Sequence, residues 1–204
     1  MNHTATVVIL APPAHGRGGA VDTSMDDLFT YGSIQTTLQN VLASQLPTVL
    51  VCDKTLSSHA RSLLPGNCIM EHDPGATHPD DALLSAMQTG MLACSQSDGW
   101  LFLPAHASML KARTLQLVAQ ALGNNPIAYP RYQARPGVPM GFGRELFSEL
   151  IRLHEKRDLT RLLSRYPAEC IDVDDPGVLL HQDQFSVFRT EPLAAPRAGH
   201  HLNR

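Results

Sequence analysis

Charge, aromatic residues and paired cysteines are all scarce in this chain, and each shortage excludes something. Charged residues make up 17 % and the formal net charge is -3, which gives no electrostatic footing for holding nucleic acid by its phosphates. Aromatics are only 5 % of the chain, with no basic stripe among which they interleave, so no nucleic-acid partner is expected. Cys52, Cys68, Cys94 and Cys170 stand far apart without CxxC spacing, which argues against a structural zinc site. Cys52, Cys94 and Cys170 sit among apolar or small residues and are expected to be buried, reduced thiols. The N-terminus lacks a basic n-region, and its apolar run is too short for a signal peptide or a membrane span. A cytoplasmic setting without a membrane partner is therefore the expectation. No long apolar helix face stands out, so a monomer is expected.

What is present is a core. Hydrophobic residues are 43 % of 204, enough for one folded domain, taken as residues 1–190. Residues 191–204, with Pro192, Pro196, Gly199 and the His200-His201 pair, read as a flexible tail.

The start of the chain is its most telling stretch. Thr6-Val7-Val8-Ile9-Leu10-Ala11 is a β-branched and apolar run that breaks at once into Pro12-Pro13-Ala14-His15-Gly16-Arg17-Gly18-Gly19. That pattern predicts a buried first strand ending in a binding loop, and ligands of open α/β sheets sit at the carboxyl ends of such strands. Glycines and one arginine suit a phosphate cradle. The two prolines, however, remove backbone N–H donors where an anion needs them.

Further strands are predicted over Thr48–Cys52, Gly99–Leu103, Ile127–Tyr132 and Cys170–Val173. Helices are predicted over Ser33–Ala43, Asp80–Cys94, Leu110–Leu122, Arg144–Leu153 and Asp158–Ser164. Their apolar faces include Ile34, Leu38, Val41 and Leu42 in the first, and Leu83, Leu84, Met87, Met91 and Leu92 in the second. Alternation of strand and helix implies an α/β fold with a Rossmann-like, doubly wound, mostly parallel sheet. A dinucleotide-binding or flavodoxin-like module fails on spacing, because Gly16, Gly18 and Gly19 do not make the GxGxxG fingerprint.

The order of the motifs resembles the MobA-like nucleotidyltransferases, in particular the molybdenum cofactor cytidylyltransferase branch. Leu10, Ala11, Arg17 and Gly19 match the opening LAAGxSxRMG pattern, while the lysine that follows it has no counterpart in Ala20-Val21-Asp22-Thr23-Ser24. Trp100-Leu101-Phe102-Leu103-Pro104-Ala105-His106 follows the strand that ends in LGDMP, with Ala105 in the place of the metal-holding aspartate. Arg135-Pro136-Gly137-Val138-Pro139 keeps the glycine and proline of GHPVLF, with Val138 for its histidine. Arg161 before Leu162-Leu163 is what remains of GDxGAR. Val173-Asp174-Asp175-Pro176-Gly177-Val178-Leu179-Leu180-His181-Gln182-Asp183 resembles VDDPGILLDID, with His181 for one aspartate and Asp183 matching another.

The resemblance implies joining of CTP or GTP to a molybdopterin-type ligand with release of pyrophosphate, dependent on Mg2+. It assigns catalysis to Arg17 and Asp183. Nucleotide binding falls to Leu10, Ala11, Gly16, Arg17, Gly18, Gly19 and Ser85. A substrate pocket falls to Ala105, His106, Gly137, Pro139 and Arg161, and metal binding to Asp183 and His181. Such transfer is chiefly positioning plus neutralisation of triphosphate charge, and magnesium prefers carboxylate oxygens. A missing lysine and a missing carboxylate fall on the same charge problem, so weakened or lost catalysis is expected. The alternative is a non-catalytic nucleotide- or pterin-binding carrier, or a partner protein in molybdoenzyme cofactor maturation. Should His15, His106 and His181 converge on Asp183, a softer metal such as zinc would suit them. Asp174 and Asp175 before Pro176-Gly177 read as turn residues rather than as a site.

Overall fold

The computed structural model describes residues 4–11, 23–73 and 79–179, with side chains at all of these except 23–31 and 79. Strand β1 (Ala5–Ala11) is followed by α1 (Thr23–Ala43), β2 (Thr48–Cys52), α2 (Lys54–Ala60) and β3 (Ile69–Glu71). Then come α3 (Pro79–Ala93), β4 (Gly99–Pro104), α4 (Ala112–Ala121), β5 (Ile127–Tyr132), β6 (Arg135–Pro136) and β7 (Met140–Gly143). The described chain closes with α5 (Phe147–Leu150), α6 (Lys156–Arg165) and β8 (Ala168–Asp172).

One sheet runs in the order β3-β2-β1-β4-β7-β5-β6, with β8 pairing β5. Strands β1 to β4 are mutually parallel, and β8 is parallel to β5. Only β7, with the short β6, runs the other way. The mostly parallel sheet expected from the alternation is therefore present. Every residue of β1, β2 and β4 is buried, as continuous apolar runs covered on both faces require.

Side chains alternate along each strand, so register assigns the faces. Val8 pairs with Val49 and Phe102, and a Cβ on Gly90 of α3 would strike Val8 and Val51. Phe147 of α5 packs on Trp100 of that same face at 5.5 Å between ring centroids. On the other face, Leu122 and Val118 at the end of α4 lie against Gly99 and Gly141, and Gln116 of α4 donates to Ser44 O at the end of α1, 3.1 Å. The result is three layers: α3 and α5 on one side, α1 and α4 on the other.

Several sequence expectations need correcting. The stretch Arg144–Leu153 is a 3-10 turn, Arg144–Leu146, running into the four-residue α5. Gly143 precedes it, and Gln88 of α3 donates to the carbonyls of Leu150, Ile151 and Leu153, ending the helix early. Strand β7 was not foreseen; Pro139 and two glycines mask a strand whose register is imposed by β4 and β5. Helix α2 and strand β3 were not foreseen. Asp53 caps α2 by accepting from Leu56 N at 2.8 Å, a signal that Asp53 three residues before Leu56 does carry. Leu42 and Leu92 are 43 % and 58 % exposed; each follows a buried residue, Val41 or Met91, and lies about 100° further round its helix. The four cysteines are free thiols, but only Cys52 is buried, while Cys94 and Cys170 are half-buried. Cys170 lies on β8, which has a strand on one side only.

Candidate functional site

The carboxyl ends of β1 and β4 come together in register. Leu10 pairs with Pro104, and Ala105 N–H donates to Leu10 O at 2.9 Å. Ala105 is fully buried and Ala11 nearly so. The chain leaves β4 through a tight turn, in which Ser108 N–H donates to His106 O at 2.8 Å and Leu110 N–H to Ala107 O at 3.1 Å. Helix α1 holds this turn from the side: Asn40 donates to Ser108 O at 2.8 Å and Ser33 to His106 O at 3.4 Å.

A second strap crosses the same edge from the far end of the chain. Asp175, 1 % exposed, accepts from Lys111 N at 2.9 Å, Thr114 Oγ1 at 2.6 Å and Gly177 N at 3.0 Å. Its carboxylate thus sits at the positive end of α4 and closes its own turn. Lys111 Nζ returns to Asp174 O at 2.7 Å. Val178 O accepts from Val138 N at 2.9 Å, and Gly137 N donates to Pro130 O at 2.9 Å. The peptide between Val138 and Pro139 is cis. Residues 174–179 are therefore wedged between the turn after β4 and the segment after β6. Asp175 builds a turn, as expected, and also ties two distant segments together, which no local pattern announces.

The predicted site residues divide accordingly. Leu10, Ala11, Ala105 and His106 share the ends of β1 and β4, and Gly137 and Pro139 join that edge through Val178 and the 174–179 strap. Ser85 lies on α3, half-buried, with its carbonyl accepting from Thr89 Oγ1 at 3.0 Å. Arg161 sits on α6 with Asp158 as its charged neighbour at 3.7 Å, and no hydrogen bond or ion pair joins it to the β4 turn. His15, Gly16, Arg17, Gly18, Gly19, His181 and Asp183 lie outside the described residues.

His72, just past β3, is a residue the sequence did not single out. Its N–H donates to Cys52 O at 2.8 Å, and its Nδ1 lies 3.2 Å from Thr89 Oγ1. Thr89 spends its one hydrogen on Ser85 O, so Nδ1 carries the ring proton and donates to Thr89. Nε2 is buried with no partner. Burial holds the His72 pKa below its ordinary value, partly offset by Asp73. The unfolded chain therefore takes up this proton first, and stability is expected to decline as pH falls below about 6.5, the ordinary histidine value. Urea unfolding between pH 7.5 and 5 tests this: His72→Gln should flatten the decline, and an unchanged slope would show that His72 does not cause it.

The Cys52 and Cys94 thiols are not nucleophiles. Burial pushes Cys52 up to about 12 and Cys94 up to about 11, so neither is a thiolate at neutral pH. The residues described do not make a magnesium site. Ala105 offers a methyl group where a carboxylate would reach the edge, and Asp175 is already occupied by three donors. No cluster of three or more metal-ligating side chains occurs among the described residues.

The fold is that of a doubly wound α/β domain, a class in which ligands bind outside the carboxyl ends of the strands. Residues 31–170 match the model of the MobA-like NTP transferase domain, and the chain belongs to that family. No curated protein sequence matches it. Solved structures resemble it throughout. The manganese complex of Rv0371c from Mycobacterium tuberculosis H37Rv is 19 % identical with a TM-score of 0.57, over 90 % of this chain and 97 % of that one. A nucleotidyl transferase from Methanothermobacter thermautotroptrophicus is 16 % identical, TM-score 0.61, over 90 % and 94 %. The 4-diphosphocytidyl-2C-methyl-D-erythritol synthase of Anaerococcus prevotii DSM 20548 is 11 % identical, TM-score 0.57, over 91 % and 95 %. At such identities the likeness is one of fold. Among the described residues no helix is long and apolar enough to cross a membrane.

Proposed function

We propose that this protein binds a nucleoside triphosphate, CTP or GTP, at the carboxyl edge of β1 and β4, with nucleotidyl transfer weakened or lost. The observation that carries this reading is Ala105. Its methyl is fully buried and its N–H is tied to Leu10 O, at the position where the family motif has the aspartate. Without that carboxylate, the developing charge on the phosphates loses a fixed partner. Removing one preorganised electrostatic group of this kind costs about 3 kcal/mol, roughly 100-fold or more in rate.

A molybdopterin-type acceptor is the substrate class that the order of motifs supports, through Gly137, Pro139 and the 174–179 strap. Where catalysis is wholly lost, the same edge serves a carrier, or a partner in molybdoenzyme cofactor maturation. The test pairs thermal shift with CTP or GTP against pyrophosphate release in magnesium or manganese. Stabilisation by a nucleotide with negligible pyrophosphate release is the expected outcome. Rapid metal-dependent release overturns the loss of catalysis, and no shift with any nucleotide overturns the binding.

A further inference from the structure

A second concave site lies away from that edge, between α5 and α6. Strand β7 runs opposite to β4, so α5 starts beside the amino ends of the parallel strands, where Phe147 meets Trp100. Helix α6 leads into the start of β8, which is parallel to β5, so its last turn reaches the same side. The cleft between them has a volume of about 300 Å3, at the small end of the range for ligand pockets. Leu153 and Leu162, 7 % and 2 % exposed, belong to its lining.

Three arginines and two carboxylates line this cleft: Arg152, Arg161, Arg165, Glu149 and Asp158. Both carboxylates are already engaged. Glu149 accepts from Arg165 Nη1 at 2.8 Å and from the Tyr166 hydroxyl. Asp158 accepts from the backbone N–H groups of His154 and Glu155, both at 3.2 Å, and these hold its carboxyl below the usual range. Arg161 reaches Asp158 only at 3.7 Å. Among the described residues the Arg152 guanidinium has no hydrogen bond or ion pair. In a protein whose formal charge is -3, the cleft thus carries one uncompensated cation and a second loosely paired one.

We propose that the α5–α6 cleft binds the oxyanion group of a small molecule, a phosphate or a carboxylate, with Arg152 as its bidentate fork and Arg161 in support. A guanidinium offers two parallel N–H donors in the geometry these anions accept, which an ammonium does not. The apolar lining leaves room for a short carbon body beside the charged head. This site is separate from the nucleotide edge and does not rest on the function assigned there.

The test is a titration of the whole protein with inorganic phosphate, followed by backbone amide NMR, with chloride at matched ionic strength as the control. Saturable shifts confined to residues 148–165 are expected. Arg152→Ala should weaken them at least tenfold, and Arg152→Lys should lose most of the affinity despite keeping the charge. A parallel titration with succinate separates a carboxylate from a phosphate preference. Equal shifts with chloride, full affinity in Arg152→Lys, or shifts confined to Ala11 and Ala105–Ser108 would each overturn the assignment. The last of these would leave the nucleotide-edge reading intact.

Discussion

Asp175→Ala is expected to destabilise the protein by about 3–5 kcal/mol, because it strips three donors, two of them in buried hydrogen bonds, of their acceptor at once. Lys111 N–H, Thr114 Oγ1 and Gly177 N–H all lose the same carboxylate. Two of the three, Lys111 N–H and Thr114 Oγ1, lie at the start of α4, so the tie between that helix end and the strap is lost as well. Asp175→Asn keeps the shape but replaces one acceptor oxygen by a donor, and it should cost roughly half as much. Urea unfolding checks this, read as a fall in midpoint at constant slope. A loss under about 1 kcal/mol for Asp175→Ala would mean that water readily replaces the carboxylate. The functional consequence follows from position: residues 174–179 are held against the turn after β4, so nucleotide-induced stabilisation should shrink along with the strap.

Gly177→Ala and Gly137→Ala form the second pair of large effects. A Cβ at 177 would collide with the carbonyl of Met109 and come within 2.8 Å of Leu110 N. At 137 it would collide with Val178 O and come within 2.8 Å of Val178 Cβ. Both obstacles are backbone, or side chain close to it, and cannot swing aside; a loss of about 3 kcal/mol is expected at each. Gly32→Ala on α1 is the matched control. Nothing lies within 4 Å of its Cβ position, and alanine should stabilise the helix by up to about 1 kcal/mol. Similar midpoints for all three variants would remove the claim that 137 and 177 mark close backbone approaches.

The roles of these glycines show how far local reading goes. Gly137 and Pro139 stand in the sequence as residues of the pocket that the resemblance implies, and each is also compatible with a simple turn. The actual constraint on Gly137 is Val178, some 40 positions away, which no window along the chain contains. Asp53 is the converse case: its capping of α2 is written locally, three residues before Leu56, and a closer reading of that spacing finds the helix. Strand β7 could not be found that way, because Met140-Gly141-Phe142-Gly143 owes its extended form to neighbours on both sides.

His72 and Arg152 were equally invisible. A lone histidine after a three-residue strand carries no pattern, and its unpaired Nε2 arises because the surrounding fold buries that atom with no polar group in reach. Arg152 looks like any solvated arginine until α5 and α6 set it beside Arg161 and Arg165.

By itself the sequence determined the alternation of strands and helices and the buried runs of β1, β2 and β4. These depend on periodicity and residue identity, which act within a few positions. Only the tertiary structure decided the reversed β7, the clamping of the β4 turn by Asp175, and the separation of Arg161 from that turn. Each of these depends on which distant segments meet, and a shared core, rather than any local preference, sets those meetings.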